Sequence, residues 1–124
     1  METILYDKYG KPVAYLESEG DIYFFSGEPV AYLDGNSVYA FSGQHLGHFE
    51  EGWIRDNSGN YALFTAEAKG GPAKPERGPA PPKGLKHMKP GKEPKEHKTL
   101  SLLKSAAWSK RSGQQFFDIA VEAP

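Results

Sequence analysis

The sequence predicts an all-β head of four pseudo-symmetric β-hairpins closed into a shallow barrel, followed by a disordered Pro-rich linker and a short helical tail. Three observations carry that prediction. Gly10, Gly27, Gly43 and Gly59 recur at intervals of 17, 16 and 16 residues, each inside one phrase: LYDKYGKPVAYLE, IYFFSGEPVAYLD, VYAFSGQHLGHFE and IRDNSGNYALFTA. Apolar and aromatic runs rich in β-branched, Tyr and Phe residues flank each glycine, which is the grammar of strands around a turn. Beyond them, residues 70–98 hold seven prolines and almost nothing to bury, and apolar content returns only after Thr99.

The boundaries follow as a four-hairpin domain over 1–69, a linker over 70–98 and a tail over 99–124. Asp7-Lys8-Tyr9-Gly10 and Asp56-Asn57-Ser58-Gly59 suit a type I turn whose fourth residue is left-handed, where glycine avoids the Cβ clash and creates a bulge. Ser26-Gly27 and Ser42-Gly43 fit the same turn or a tighter two-residue one. In the bulged register the residue five before each glycine faces the residue three after it. Leu5, Ile22, Val38 and Ile54 then oppose Val13, Val30, Leu46 and Ala62, an apolar inner layer shared by the repeats. The position four before the glycine reads Tyr6, Tyr23, Tyr39 and then Arg55, while Leu16, Leu33, Phe49 and Thr65 end the second strands, so the fourth repeat is degenerate. Lone hairpins are unstable in water, and four around an axis bury one another's faces and cover one another's edges. A linear β-solenoid is the alternative, but it calls for caps and parallel turns.

The linker composition predicts an extended, solvated spacer, reaching several tens of ångströms at about 3.1 Å per residue if it adopts polyproline II. From Thr99, LSLLKSAAW reads as an amphipathic helix and Ser112-Gly-Gln-Gln115 as a capping box before FFDIAV, giving two short helices or one broken at Gly113. Leu100, Leu103, Trp108, Phe116 and Phe117 are too apolar to remain in water and form a candidate docking surface, for the head or for a partner.

The net charge of −1 conceals an asymmetry. Residues 1–68 carry eleven Asp or Glu against Lys8, Lys11 and Arg55, a net −8, whereas residues 69–98 are at +6 and residues 99–124 at +1. The acidic head disfavours nucleic acid, because phosphate is repelled and the aromatic residues lack interleaved Arg or Lys. The basic linker is a candidate for anionic membrane surfaces, or for folding back on the head by an attraction that salt screens. Two PxxP matches, Pro72 to Pro75 and Pro79 to Pro82, are expected by chance in so Pro-rich a stretch. With no cysteine, no signal-peptide pattern at the start and no stretch of about 18 apolar residues, the chain reads as a soluble cytoplasmic protein, or one peripheral to a membrane.

The four glycine-centred hairpins, above all Tyr23-Phe24-Phe25-Ser26-Gly27 and Pro29-Val30-Ala31-Tyr32-Leu33-Asp34, followed by a basic Pro-rich stretch and Ala107-Trp108-Ser109, resemble the bacterial four-fold β-flower proteins. The resemblance covers the head end to end and the tail in style. It implies petal-like hairpins around a shallow barrel, and it implies no activity and no catalytic residues.

The residues themselves point away from an enzyme. His45 and His48, three apart on a strand, face opposite sides and form no local chelate, and His87 and His97 lie in the linker, so no metal site is expected. Asp7 and Asp56 occupy turn positions where a carboxylate caps its own backbone. No Gly-rich phosphate loop or ordered triad exists, and no cofactor is implied. The tyrosines Tyr6, Tyr15, Tyr23, Tyr32 and Tyr39 are placed in rings by the repeat. They either pack between neighbouring hairpins or line a shallow axial pocket for an apolar ligand. The leading reading is a non-enzymatic binding or adaptor module with an unidentified protein partner. A membrane-surface protein and a small-ligand carrier are the alternatives, and the oligomeric state is not legible.

Overall fold

Eight strands in four hairpins close into a barrel in which every neighbour in sequence is a neighbour in the sheet. They are β1 (Thr3–Tyr6), β2 (Pro12–Leu16), β3 (Asp21–Phe24), β4 (Pro29–Asp34), β5 (Ser37–Tyr39), β6 (His45–Glu50), β7 (Trp53–Asp56) and β8 (Tyr61–Phe64). All pairs are antiparallel, and β1 meets β8 at Tyr6 and Phe64. Closure of this kind removes the sheet edges that separate hairpins would leave open. The structure, a computed structural model, describes residues 2–98 and 105–117.

One turn is used four times. In each hairpin the glycine N–H donates to the carbonyl three residues back, at Asp7, Phe24, Ala40 and Asp56, over 2.9 to 3.0 Å. The four glycines have φ of 82°, 101°, 95° and 86°, the left-handed region that a side chain disfavours. Ser26-Gly27 and Ser42-Gly43 therefore close the same three-residue loop as the Asp-led turns, not a two-residue one. Asp7 Oδ1 accepts from the Tyr9 and Lys11 N–H groups, and Asp56 Oδ1 from those of Ser58 and Asn60. These carboxylates are turn caps, as the sequence indicated.

The strand register differs from expectation by one residue. Leu5, Ile22, Val38 and Ile54 pair with Ala14, Ala31, Gly47 and Leu63, not with Val13, Val30, Leu46 and Ala62. A second irregularity lies between Leu5 and Tyr6 and at the equivalent place in each hairpin, adding a residue to the second strand beyond the turn bulge. Both sets nonetheless face the core, because the bulge turns two successive side chains inward. Leu46 and Ala62 are fully buried in it, and Val13 and Val30 pack against it from the rim.

Among the described residues 105–117 the tail is not α-helical, and most of the helix expected over LSLLKSAAW lies outside them. A single 3-10 turn, Gln114–Phe116, is its regular structure among the described residues, and Gly113, not a capping Ser112, precedes it with no side-chain cap. Ser112 Oγ instead donates to the Ala62 carbonyl and accepts from the Lys8 N–H, each over 2.8 Å, tying the first and fourth hairpins. Phe116 is fully buried and Phe117 nearly so within the barrel core, with Phe117 edge-on to Phe24 at 5.7 Å. Small residues make that room: a Cβ at Gly47 would stand 3.1 Å from Phe116 Cζ. The Phe pair thus completes a core that four short hairpins cannot fill alone. Trp108 joins β8 by a parallel bridge to Tyr61 and packs edge-on to Trp53 at 5.5 Å. Leu100 and Leu103 lie outside the described residues.

Residues 70–98 have no regular secondary structure, in keeping with their composition, but they do not hang free as a solvated spacer. They run as an extended belt along the outside of the barrel, bonded to the glycine turns. The folding back of the basic stretch on the acidic head, one of the options left by the charge pattern, is the arrangement adopted.

Candidate functional site

The site is the seam between barrel and belt, and it starts from strand alternation. With Leu5, Ile22 and Val38 inward, the next residues, Tyr6, Tyr23 and Tyr39, must face outward, and each meets an aromatic residue of the neighbouring hairpin. Tyr15 stacks on Tyr23 at 5.6 Å, Tyr32 on Tyr39 at 5.9 Å and Tyr6 on Phe64 at 5.3 Å. The five tyrosines therefore do not line an axial pocket. They form pairs between hairpins, because the barrel axis is occupied by aliphatic side chains and Phe116. Surface clefts of about 490 Å³ beside Ile4 and Tyr6 and about 300 Å³ beside Trp53 and Arg55 lie on the outer face.

At the fourth junction the register places His48 opposite Arg55 where the others have an aromatic pair. There Arg55 itself supplies a cation, on the outer face of the barrel. Its guanidinium lies 4.0 Å from the Tyr61 ring centroid, bonds the Gly59 carbonyl at 2.7 Å and the Ser105 carbonyl at 3.3 Å, and pairs with Glu50 at 3.4 Å. The degenerate position read from the sequence is thus a clamp on the start of the C-terminal segment. Asp56 serves the same segment, accepting from Ser109 Oγ at 2.6 Å.

Cations of the belt stand over both rings of the Tyr15–Tyr23 and Tyr32–Tyr39 pairs and over Tyr6 and Trp53 at the Tyr6–Phe64 junction. Lys74 and Arg77 stand over Trp53 and Tyr6, Lys83 and Lys86 over Tyr15 and Tyr23, and Lys92 and Lys95 over Tyr32 and Tyr39. Such placement uses the negative face of the ring. Carboxylates at the rim complete the seam: Lys83 pairs with Glu2, Lys86 with Glu17, Lys89 with Asp21 at 2.8 Å and Lys95 with Asp34 at 3.2 Å. Hydrogen bonds to these carboxylates hold the amines of Lys86, Lys89 and Lys95 above the ordinary lysine range. Burial raises the phenols of Tyr15 and Tyr32 and outweighs the opposing charges of Lys86 and Lys95.

The sequence reading missed a belt repeat of nine residues. Lys74-x-x-Arg77, Lys83-x-x-Lys86 and Lys92-x-x-Lys95 are successive copies, and the spacing of their cations is the signal that was available. Backbone bonds keep the same period: the N–H groups of Gly78, His87, Glu96 and Ser105 donate to the carbonyls of Gly10, Gly27, Gly43 and Gly59.

His45 and His48 are also placed differently from expectation. The second bulge, at Leu46, breaks the alternation of β6, and the two rings meet edge-on at 4.9 Å on one side of the strand. Burial, then the neighbouring His48, pushes the His45 imidazole below its ordinary pKa. Among the described residues no group of three or more His, Asp or Glu side chains is arranged to hold a metal ion, and no helix is long and apolar enough to cross a membrane.

A closed barrel of four like hairpins, ringed by cation-capped aromatic pairs, defines a four-fold β-repeat protein. The family model described as "4-fold beta flower protein" matches residues 3–117, and the chain belongs to that family. The match takes in the belt and ends on the buried Phe117. No curated protein and no solved structure is detectably similar to the chain.

Proposed function

We propose that the chain is a non-enzymatic binding module in which barrel, belt and C-terminal segment act as one unit. The observation that supports this is the seating of Trp108, Phe116 and Phe117 on the head in cis. An adaptor that recruits through a free tail would have to expose both phenylalanines, at roughly 3 to 6 kcal/mol for the two. The docking of Trp108, Phe116 and Phe117 is therefore intramolecular, and the outer face carrying the belt is the surface offered to a protein partner. The ligand-carrier reading loses its premise, since the tyrosines face outward.

The test is native affinity capture with the full chain, soluble and membrane fractions kept apart, followed by cross-link mapping. A retained protein cross-linked to Lys83, Lys86, Lys92 or Lys95 supports the reading. Retention no better than by a denatured bait removes it, and cross-links confined to residues beyond Ser105 restore the recruiting tail.

One observation favours a second reading, attachment to an anionic membrane surface. Leu85 and Met88 are 91% and 92% exposed, among Lys83, Lys86 and Lys89. Sedimentation with anionic but not neutral vesicles, lost in a Leu85→Ser/Met88→Ser chain, is the expected result; equal sedimentation with both lipids counts against it.

A further inference from the structure

Two copies of the belt share the same ring and main-chain contacts, the second adding a bond from the His45 N–H to the Glu96 carboxylate at 2.6 Å. Lys83 and Lys92 stand 4.6 and 4.3 Å from the ring centroids of Tyr15 and Tyr32, and Lys86 and Lys95 stand 5.2 and 5.9 Å from those of Tyr23 and Tyr39. Between the cations, the Gly84 and Glu93 N–H groups donate to the carbonyls of Phe25 and Phe41 at 2.6 and 2.9 Å. One residue past the second cation, His87 and Glu96 donate to Gly27 and Gly43, each at 2.9 Å. The groove therefore reads main chain and two cations three residues apart, and leaves the intervening side chains in solvent, as Leu85 does. Main-chain bonds supplying affinity and a few side-chain contacts supplying specificity are the ingredients of extended-peptide recognition.

The belt is also the separable layer. None of its side chains belongs to a core cluster, and its residues beyond Gly78 are exposed. The head it covers is at −8, complementary to a basic chain. We infer that the grooves between the hairpins are a binding surface for an extended Lys-x-x-Lys segment, occupied in cis by the belt and open to displacement by a lysine-rich segment of another polypeptide. This deepens the binding-module reading and rests on it. Tethering gives the belt an effective concentration of about millimolar, so a competing segment needs to span successive grooves at the nine-residue period.

The probe is a fluorescein-labelled synthetic peptide with the sequence of residues 80–97, titrated into the full chain and into a K83Q/K86Q/K92Q/K95Q chain whose grooves are intact. The peptide is expected to bind the variant at least about tenfold more tightly than the wild type. Raised salt should weaken that binding, and replacing the peptide's lysines with glutamine should abolish it. No binding to a variant with native tryptophan fluorescence, or binding indifferent to the peptide's lysines, overturns the inference.

Should the variant not fold, amide spectra of the wild type at millimolar peptide decide. Movement of the His87 and Glu96 amides toward unbound positions supports displacement, and unmoved amides overturn it. A captured partner cross-linked to the belt together with peptide failure would remove this inference and leave the binding module standing. A capture that retains nothing would remove the module reading itself.

Discussion

Residues 70–98 and residues 105–117 both lie against the barrel without adding a ninth strand to it, yet only the second puts side chains inside it. The C-terminal segment contributes Phe116 and Phe117 to the apolar core and is clamped by Arg55, Asp56 and the Ser112 hydroxyl. The belt contributes no core residue and is held by cations over rings, by rim carboxylates and by a hydrogen bond at each turn glycine that it passes. Burial of apolar surface is not weakened by charge screening and is lost when the core opens, whereas contacts between exposed charges are individually weak and screened. Two neighbouring stretches of one chain thus differ in how they can be removed: one by unfolding, the other by competition.

The largest effect should come from the apolar side of that contrast. Phe116→Ala is expected to cost about 3 to 5 kcal/mol in urea unfolding, an effect that added salt does not screen away; a loss under about 1 kcal/mol would mean that this phenylalanine plug is not part of the cooperative core. Next comes a turn that serves both layers. Gly27→Val forces a β-branched residue toward positive φ and sets its Cβ against the Leu85 carbonyl of the belt, whereas Gly35, with φ of +61°, has nothing within 4 Å. Gly27→Val should cost more than about 1 kcal/mol, and more than Gly35→Val; equal melting shifts for the two would break the link between turn and belt.

A smaller effect should follow pH. The folded state holds His45 below its ordinary pKa near 6.5, so the unfolded chain binds more protons as pH falls. Stability is therefore full above about pH 6.5 and declines below it, and a His45→Gln chain should lose part of that slope between pH 7 and 5. An unchanged slope would show that His45 does not titrate between the two states. The smallest effect belongs to the belt: Lys86→Gln/Lys95→Gln should lower the melting temperature slightly at low salt and not at about 1 M salt, where the screening length is about 3 Å. A shift that persists in high salt would place the belt with the plug, and the contrast would fail.

Much of the fold was legible in the residues because a repeated phrase reports its own architecture. Gly10, Gly27, Gly43 and Gly59 marked the turns, Leu5, Ile22, Val38 and Ile54 the inner layer, and Asp7 and Asp56 the turn caps. The second bulge was not legible, since no residue type is obligatory there, and with it went the pairing of Leu5 with Ala14 and the approach of His45 to His48. The seam was half legible. Its acidic and basic partners were visible as a charge asymmetry and its tyrosines as a recurrent position, but the nine-residue spacing of belt cations has meaning only when laid against turns that recur at 16 or 17 residues along a different path.

What the sequence determined by itself is therefore local and periodic: strand, glycine turn and inward or outward side chain follow from steric limits on φ and from the two-residue period of a strand. Tertiary structure alone decided what fills and what covers the barrel. A Lys- and Pro-rich composition carries no internal apolar surface and specifies extension without a destination, and two adjacent phenylalanines specify burial without a site. Both destinations were set by the closed barrel, whose small inward residues left space for Phe116 and whose outward tyrosines and acidic rim supplied a track for the lysines.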